Sequence, residues 1–327
     1  MPILLVAGKG RGPPAERGMR VLLQTSWNTA AAWRAELGRQ APWLEVRVWP
    51  EVDDPSEIDV VLCWQPPPDL FAGMTRLRLI QVLGAGVDGL LRVAPALPPV
   101  PIARLVDPVM SQRMAEYCLY ATLRFHRQFD LYERQLAQAR WERHQHPDPG
   151  EIGVGVMGLG AIGGATARLL ASIGYDVAAW ARSPHPEMPF PVHVGEAGLP
   201  GFLARTRILI CLLPLTPETA SILDRRLFEQ LPRRSYLVNA ARGEHLVVPH
   251  LLAALESGRL DGAMLDVFAH EPLPKSSPLW RHPKIFVTPH AAGITKPETA
   301  AAVIVAQLRR LERGEPLLDL VDPARGY

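Results

Sequence analysis

The sequence lacks the features that mark secreted and membrane-spanning proteins. It has three cysteines among 327 residues, and none forms a Cys-x-x-Cys pair. Isolated thiols in apolar surroundings are typical of a reduced protein with buried cysteines. No apolar run approaches the roughly 18 residues that a membrane-spanning helix needs. We therefore expect a cytoplasmic protein that does not insert into a membrane.

Lysine is also scarce, since only four of the 35 positively charged residues are lysines. The 33 acidic residues bring the net charge to +2, and there is no Lys/Arg block that would follow a phosphate backbone or an anionic lipid surface. His144 and His146 lie in a proline-rich stretch without a metal-ligand spacing. Nucleic acid, membrane surfaces and a metal ion are therefore not expected partners.

The chain is too long for one compact core, and its 48% hydrophobic and 21% charged residues are typical of a globular protein of about two domains. Short apolar runs alternate with helical stretches in both halves. This order predicts an α/β protein with two doubly wound parallel sheets. Met19 opens the first strand, so we expect residues 1–18 to be an extension or to precede the true start.

The same periodicity predicts four strands in the first hundred residues and six between residues 152 and 287. One uninterrupted helix is predicted from Ser111, as its N-cap, to Ala139, because this stretch lacks proline and glycine. A last helix over Lys296–Arg313 is expected to return to the first domain, because the second sheet already has its six strands.

A glycine-rich turn follows the first strand of the second domain. Gly158, Gly160 and Gly163 form a G-x-G-x-x-G pattern between the strand Ile152–Met157 and a helix. In such a motif the first glycine permits a tight turn, the second lets the backbone approach a pyrophosphate, and the third lets the helix press on the strand. The helix carries apolar residues at helical spacing: Ile162, Ala165, Leu169 and Ile173. Dinucleotide binding is favoured over an ordinary glycine-rich turn.

The end of the next strand indicates which dinucleotide is bound. An NAD site usually has an Asp or Glu there for the ribose 2′-hydroxyl. Here the residues are Arg182 and Ser183, and a guanidinium can hold a 2′-phosphate with two hydrogen bonds. We therefore expect NADPH, with NADH as a weaker alternative. A solvated surface arginine is the competing interpretation.

Three polar residues follow late strands of the second domain. Arg242, Glu271 and His290 are distant in sequence, yet the carboxyl ends of strands in an open α/β sheet line the ligand crevice. Their chemistry fits hydride reduction of a 2-oxo acid. Protonated His290 would donate a proton to the developing alkoxide, Glu271 would favour and orient that ring, and Arg242 would hold the substrate carboxylate.

A second glycine-rich turn follows a strand of the first domain. It reads Gly84-Ala-Gly-Val-Asp88. The backbone N–H groups of Ala85 and Gly86 could bind the other carboxylate oxygen of the same substrate. No G-x-S-x-G element of a serine hydrolase is present.

Together these segments resemble the D-isomer-specific 2-hydroxyacid dehydrogenase family. The order of G-x-G-x-x-G, Ala-Arg242-Gly243, Asp266…Glu271-Pro and Thr-Pro-His290 carries the resemblance over nearly the whole chain from Met19. Within the family the chain is most similar to a bacterial glyoxylate/hydroxypyruvate reductase branch, through strings such as Trp64-Gln-Pro-Pro67 and the ending Val321-Asp-Pro-Ala-Arg-Gly-Tyr327.

The resemblance implies a cytosolic homodimer that reduces glyoxylate to glycolate and hydroxypyruvate to D-glycerate with NADPH. It also implies a Rossmann domain over residues 105–293 and a discontinuous, flavodoxin-like substrate domain over 1–104 and 294–327, with a cleft between them. The family's cofactor contacts carry over to Gly160, Ala161, Ile162, Arg182, Ser183, Leu213, Pro214, Ala240, Ala241, Arg242 and Asp266, and His290 is expected beside the cofactor.

Two tryptophans and two alternative functions stay open. Trp64 resembles a family residue beside the substrate, although a buried core tryptophan explains it equally. Trp141 resembles an aromatic offered to the partner subunit's site, although simple packing is the favoured interpretation there. A bulkier 2-oxo acid is an alternative substrate. A nucleotide-sensing regulator on the same fold is a second alternative, which the presence of Arg242, Glu271 and His290 argues against.

Overall fold

The computed structural model describes residues 18–25 and 29–327. The expected extension before Met19 therefore lies almost entirely outside the described residues. Within the described part, the chain forms two parallel sheets that are covered by helices. This confirms the predicted fold class.

The first sheet has five parallel strands in the order β2-β1-β3-β4-β5, which is the strand order of flavodoxin-like domains. Its strands are β1 (Met19–Gln24), β2 (Leu44–Val48), β3 (Val60–Cys63), β4 (Leu79–Val82) and β5 (Ile102–Ala103). Its helices are α1 (Ala30–Gln40) and α2 (Asp88–Leu91). The fifth strand was not predicted, because two residues are too few to show an alternating pattern.

The second sheet has seven parallel strands in the order β12-β11-β10-β9-β6-β7-β8. Its strands are β6 (Gly153–Met157), β7 (Asp176–Ala181), β8 (Val192–Val194), β9 (Ile208–Cys211), β10 (Ser235–Asn239), β11 (Leu260–Leu265) and β12 (Ile285–Val287). Counted from β6, the first six strands of this sheet have the order 3-2-1-4-5-6 of a dinucleotide-binding domain.

Nine α-helices cover the two sheets in the described part of the chain. The remaining ones are α3 (Pro108–His126), α4 (Phe129–Leu136), α5 (Ala161–Ser172), α6 (Gly195–Ala204), α7 (Arg225–Gln230), α8 (Val248–Glu256) and α9 (Pro297–Arg313). Helix α9 buries Ala300, Ile304 and Leu308 in the core under the first sheet. The boundaries 1–104 with 294–327 and 105–293 stay a prediction.

Strand β8 and helix α6 were missed by the prediction. Proline and glycine surround them, and Pro200 lies inside α6, so neither segment shows a clear period. Packing overrides this weak local preference, because Phe202 and Leu203 are fully buried under the second sheet.

The long helix predicted from Ser111 to Ala139 is wrong at both its start and its continuity. Asp107 is the N-cap, because its carboxylate accepts the Val109 N–H at 2.9 Å and Pro108 suits the first helical position. The helix ends at His126, and Gln128 has a left-handed φ of 56° that turns the chain into α4.

The predicted apolar face of α5 is displaced from the buried one. Ile173 is 41% exposed, and the buried residues are Gly163, Gly164, Thr166, Ala167 and Leu170. The reason is that α5 turns its small residues inward so that it packs closely. The helix ends before Gly174, which has a φ of 97° that suits a glycine just after a helix.

None of the described helices combines the length and the apolar character that crossing a membrane requires.

Candidate active site

The ends of β10, β11 and β12 lie side by side, because these strands are neighbours in the second sheet. Beyond the strand ends, backbone hydrogen bonds still join the neighbouring segments. The Asp266 N–H donates to the Asn239 carbonyl at 3.0 Å, and the Thr288 N–H donates to the Leu265 carbonyl at 3.0 Å. The three segments that carry Arg242, Glu271 and His290 therefore leave the same edge of one sheet.

His290 and Glu271 form a hydrogen-bonded pair. His290 Nδ1 lies 2.7 Å from Glu271 Oε2, and Glu271 Oε1 accepts the Phe268 N–H at 2.9 Å. The carboxylate thus connects the ring to the backbone and makes Nδ1 the protonated nitrogen. Both side chains are about one-third exposed, at 37% and 35%, so the Nε2 edge of His290 is accessible to a ligand.

The backbone of His290 is held in an uncommon conformation by Asp266. His290 has a φ of 52°, and its N–H donates to the Asp266 carbonyl at 2.8 Å. The buried Asp266 carboxylate accepts three further hydrogen bonds, from the Thr288 hydroxyl at 2.6 Å, the Ala291 N–H at 2.8 Å and the Ala292 N–H at 3.0 Å. Asp266 thereby fixes the direction of the histidine.

A tyrosine from α3 completes this network. The Tyr117 hydroxyl lies 2.7 Å from the Thr288 hydroxyl. Because Thr288 donates its single hydrogen to Asp266, Tyr117 must be the donor to Thr288. Burial raises the pKa of Tyr117 well above its ordinary value, so the phenol keeps the proton that it donates.

Arg242 extends from the second sheet to the glycine-rich turn of the first. Its Nε donates to Asp88 Oδ1 at 2.9 Å, and its Nη1 donates to the Ala241 carbonyl at 2.7 Å. A Cβ on Gly86 would lie 1.8 Å from Arg242 Nη2, so any larger residue there would displace the guanidinium. The structure therefore brings Arg242 and Gly86 together, with Ala85 next to them and partly exposed.

The loop that carries Arg242 is held by a buried histidine and a buried asparagine. His245 Nδ1 lies 3.3 Å from the Arg242 backbone nitrogen, and its Nε2 lies 3.2 Å from the Pro214 carbonyl. A neutral ring satisfies both, by accepting at Nδ1 and donating at Nε2. Burial, helped by the Arg242 charge, lowers the pKa of His245. Asn239 Nδ2 donates to the Arg242 carbonyl at 3.0 Å.

Gly243 links this loop to the glutamate–histidine pair. A Cβ on Gly243 would lie 1.9 Å from the Phe268 carbonyl carbon, so the two backbones are in contact. Phe268 is the residue whose N–H binds Glu271. Arg242 and His290 are therefore joined through packed backbone rather than through a flexible loop.

Trp64 lies beside the first glycine of the turn at Gly84. A Cβ on Gly84 would lie 2.4 Å from Trp64 Cζ3. The ring is partly buried and packs against both apolar clusters of the first sheet. A contact between Trp64 and substrate stays a prediction. Trp141 is 99% exposed and contacts no core cluster.

The glycine-rich motif before α5 has the geometry that a dinucleotide needs. Gly158 has a φ of 96°, and a Cβ on Gly163 would lie 1.9 Å from the Gly158 carbonyl oxygen. A Cβ on Gly160, the N-cap of α5, would have no atom within 4 Å. The space before the helix is thus open to a pyrophosphate, which the free N–H groups of the first helical turn would bind.

The other predicted cofactor contacts lie around the same sheet edge. Arg182 and Ser183 are exposed at the end of β7, and the Arg182 guanidinium lies 4.8 Å from the ring centre of Tyr327. The remaining ones follow β9 and β10 or begin α5: Leu213, Pro214, Ala240, Ala241, Ala161 and Ile162. Their contact with a cofactor stays a prediction.

Sequence reasoning assigned no role to Asp88, His245 or Tyr117. Asp88 lies 154 residues from its partner Arg242, and Tyr117 lies 171 residues from Thr288. The only signal for Asp88 was its place at the end of the glycine-rich turn. His245 lies three residues after Arg242, where a surface side chain was equally compatible with the sequence.

A family comparison matches residues 119–292 to the NAD-binding domain of D-isomer specific 2-hydroxyacid dehydrogenases. A glyoxylate/hydroxypyruvate reductase A from Salmonella paratyphi C is 41% identical over 314 residues, which cover 94% of this chain and 100% of that protein. The chain belongs to the D-isomer specific 2-hydroxyacid dehydrogenases.

Solved structures of other 2-hydroxyacid dehydrogenases have the same overall fold. The enzyme from Xanthobacter autotrophicus Py2, in complex with NADPH and MES, has a TM-score of 0.91 at 42% identity, covering 95% of this chain and 100% of that one. An NADPH-dependent glyoxylate/hydroxypyruvate reductase from Sinorhizobium meliloti, in complex with NADP and sulfate, has a TM-score of 0.89 at 36% identity, covering 94% and 100%.

Proposed function

We propose that this 2-hydroxyacid dehydrogenase reduces small 2-oxo acids with NADPH, converting glyoxylate to glycolate and hydroxypyruvate to D-glycerate. The observation that carries the proposal is the arrangement at one sheet edge of an arginine tied to the opposite domain, a histidine paired with a carboxylate, and an open dinucleotide turn. The arginine would bind the substrate carboxylate, the histidine pair would serve the carbonyl, and the turn would hold the nicotinamide dinucleotide.

Arg242 is the proposed substrate-binding cation. Its Nε and Nη1 are occupied by Asp88 and Ala241, which fixes the plane of the guanidinium and leaves the Nη2 side, next to Gly86, for the ligand. There the positive charge would bind the 2-oxo acid carboxylate and polarise the neighbouring carbonyl. The backbone N–H groups of Ala85 and Gly86, in the turn that Arg242 contacts, are proposed to bind the second carboxylate oxygen.

His290 is the proposed proton donor. Glu271 accepts the Nδ1 proton, so the accessible Nε2 carries the second proton of the charged ring. When bound, NADPH supplies the hydride that adds to the carbonyl carbon. The Nε2 proton of His290 then goes to the carbonyl oxygen, which leaves a neutral ring and a hydroxyl group. Glu271 stabilises the charged ring before that transfer and fixes its orientation.

The fit of the chain to NADPH has two parts. The turn at Gly160 leaves room for the pyrophosphate, and Arg182 offers a charge for the 2′-phosphate where an NAD enzyme would have a carboxylate. The close relatives from Xanthobacter and Sinorhizobium, whose complexes contain NADPH or NADP, support the same assignment.

We also propose a cytoplasmic homodimer. The three cysteines are all free and buried, which fits a reducing compartment. Tyr120, Phe129, Leu136 and Trp141, on and after α3 and α4, are apolar and exposed in the monomer, and a second subunit would cover them.

The test is NADPH oxidation, followed by absorbance, with a panel of 2-oxo acids of increasing size. We expect turnover with glyoxylate and hydroxypyruvate, and higher kcat/KM for these than for phenylpyruvate or branched 2-oxo acids. A preference for the bulkier acids would contradict the substrate assignment. An absence of oxidation with every acid, despite NADPH binding, would favour a nucleotide sensor.

A further inference from the structure

The last residues of the chain lie between the two sheets. After α9 the chain returns to the first sheet, where the Arg104 N–H donates to the Asp319 carbonyl at 3.0 Å and the Val321 N–H donates to the Ile102 carbonyl at 2.8 Å. This segment, residues 319–327, is therefore anchored to the edge strand β5. We call it the tail segment.

The far end of the tail segment contacts the dinucleotide side. A Cβ on Gly326 would lie 3.2 Å from Thr216 Cγ2, and the Arg182 guanidinium carbon lies over the Tyr327 ring, 4.8 Å from its centre. The segment is folded on itself, because the Asp322 carbonyl accepts the N–H groups of Arg325 and Gly326. Tyr327 is thus presented to Arg182 by a compact turn.

Few other groups hold Arg182. It is exposed, and no carboxylate within residues 18–25 and 29–327 forms an ion pair with it, although Glu218 is near enough for an electrostatic attraction. A free arginine side chain loses conformational entropy when it binds a phosphate, and an aromatic ring that already fixes the guanidinium plane reduces that loss.

Stacking leaves the binding atoms of Arg182 accessible. The donors of a guanidinium point outward in its plane, so a ring on one face blocks none of them.

We infer that Tyr327 is a positioning residue for NADPH selectivity. It holds the Arg182 guanidinium so that its edge faces the 2′-phosphate of the cofactor. The inference rests on the proposed function, because it assumes that Arg182 binds this phosphate. NADH lacks the phosphate, so its binding does not depend on Tyr327.

The test measures cofactor affinity rather than turnover. Dissociation constants of NADPH and NADH are measured by fluorescence titration of the full chain and of Tyr327→Ala and Tyr327→Phe. We expect Tyr327→Ala to weaken NADPH two- to fivefold, which corresponds to about 0.5–1 kcal/mol for an exposed cation–π contact. NADH affinity should not change, and Tyr327→Phe should bind NADPH like the wild type because the ring is retained.

A double-mutant cycle separates this role from a general structural one. In an Arg182→Leu background, Tyr327→Ala should cause no further loss of NADPH affinity. Equal weakening of NADPH and NADH, or an unchanged NADPH affinity, would overturn the inference. Wild-type protein that binds NADPH selectively but reduces no 2-oxo acid would instead overturn the proposed reaction and leave the role of Tyr327 standing.

Discussion

Among single residues, His290 shows most directly how local structure serves the proposed chemistry. A left-handed φ of 52° is uncommon outside glycine, and this one is maintained by the Asp266 carbonyl and by the hydrogen bonds of Asp266 to the next two residues. The cost of such a conformation, of order 1–3 kcal/mol, is offset by a network that aims the ring at the cleft.

Replacing the histidine tests its role as proton donor. Asn tolerates the left-handed conformation, so His290→Asn should fold normally. Because the variant has no titratable proton to donate, we expect kcat to fall by roughly 10²–10⁴ while NADPH affinity changes less than twofold. Steady-state kinetics and a binding titration measure the two quantities. His270→Asn, an exposed histidine in the preceding loop, is the matched control and should keep full turnover. Equal loss of binding and turnover in His290→Asn would contradict the assignment.

The buried His245 predicts a pH dependence of stability. Its pKa in the folded protein is below the ordinary value of 6.5, so the unfolded chain binds the proton more tightly. The stability that the neutral ring contributes above pH 6.5 is therefore lost as the pH falls. We expect the Tm of the wild type to drop more steeply below about pH 6.5 than that of His245→Gln, whose amide still offers a donor and an acceptor. Parallel slopes would rule out this linkage.

Among the structural elements, the turn before α5 needs two glycines of one motif for different reasons. Gly163→Ala should lower the free energy of unfolding by roughly 1–3 kcal/mol, because its Cβ would collide with the Gly158 carbonyl oxygen. Gly160→Ala should leave that free energy unchanged, because its Cβ meets no protein atom within 4 Å.

The same pair tests the cofactor site. The methyl group of Gly160→Ala would occupy space meant for the pyrophosphate, so we expect NADPH affinity to fall roughly tenfold or more, equivalent to about 1.4 kcal/mol or more. Denaturant unfolding and a binding titration separate the two effects. Full NADPH affinity in a correctly folded Gly160→Ala would show that the cofactor does not bind at this turn.

Whether the sequence predicts an element depends on whether local sequence signals or tertiary contacts determine its structure. The turn at Gly158–Gly163 was readable, because glycine spacing and flanking apolar runs are local signals. Helix α6 and strand β8 were not, because burial of Phe202 and contact with β7 override a proline- and glycine-rich sequence. The break between α3 and α4 was also invisible, since it depends on a left-handed Gln128.

In the whole molecule, the proposed active site forms only where the two sheets meet. Their strand orders follow from the alternation of strands and helices, but the pairing of Arg242 with Asp88 joins residues 154 positions apart. No periodicity or residue spacing in the sequence predicts such a contact. The sequence therefore predicted the candidate residues, and the structure adds the contacts that orient them.

The Asp88–Arg242 pair predicts a link between domain contact and substrate binding. Asp88→Asn removes the charge that holds Arg242 across the cleft. We expect kcat/KM for glyoxylate to fall roughly ten- to a hundredfold, mainly because KM rises. This loss corresponds to the ~1.5–3 kcal/mol that a hydrogen bond to a charged group contributes.

A second pair across the cleft supplies the control. Arg92 and Glu244 lie 3.1 Å apart but are 61% and 34% exposed, and such pairs contribute only ~0–1 kcal/mol. Glu244→Gln should therefore change kcat/KM less than about fivefold. If both variants lost activity equally, the effect would belong to domain contact in general and not to Arg242.

The most direct test of the whole account is a crystal structure of the complex with NADP⁺ and glycolate. We expect the glycolate carboxylate to be bonded to Arg242 on its Nη2 side, and the hydroxyl oxygen to lie roughly 2.6–3.2 Å from His290 Nε2, with Glu271 still bound to Nδ1. A glycolate bound elsewhere, or an imidazole turned away from its hydroxyl group, would contradict the proposed mechanism.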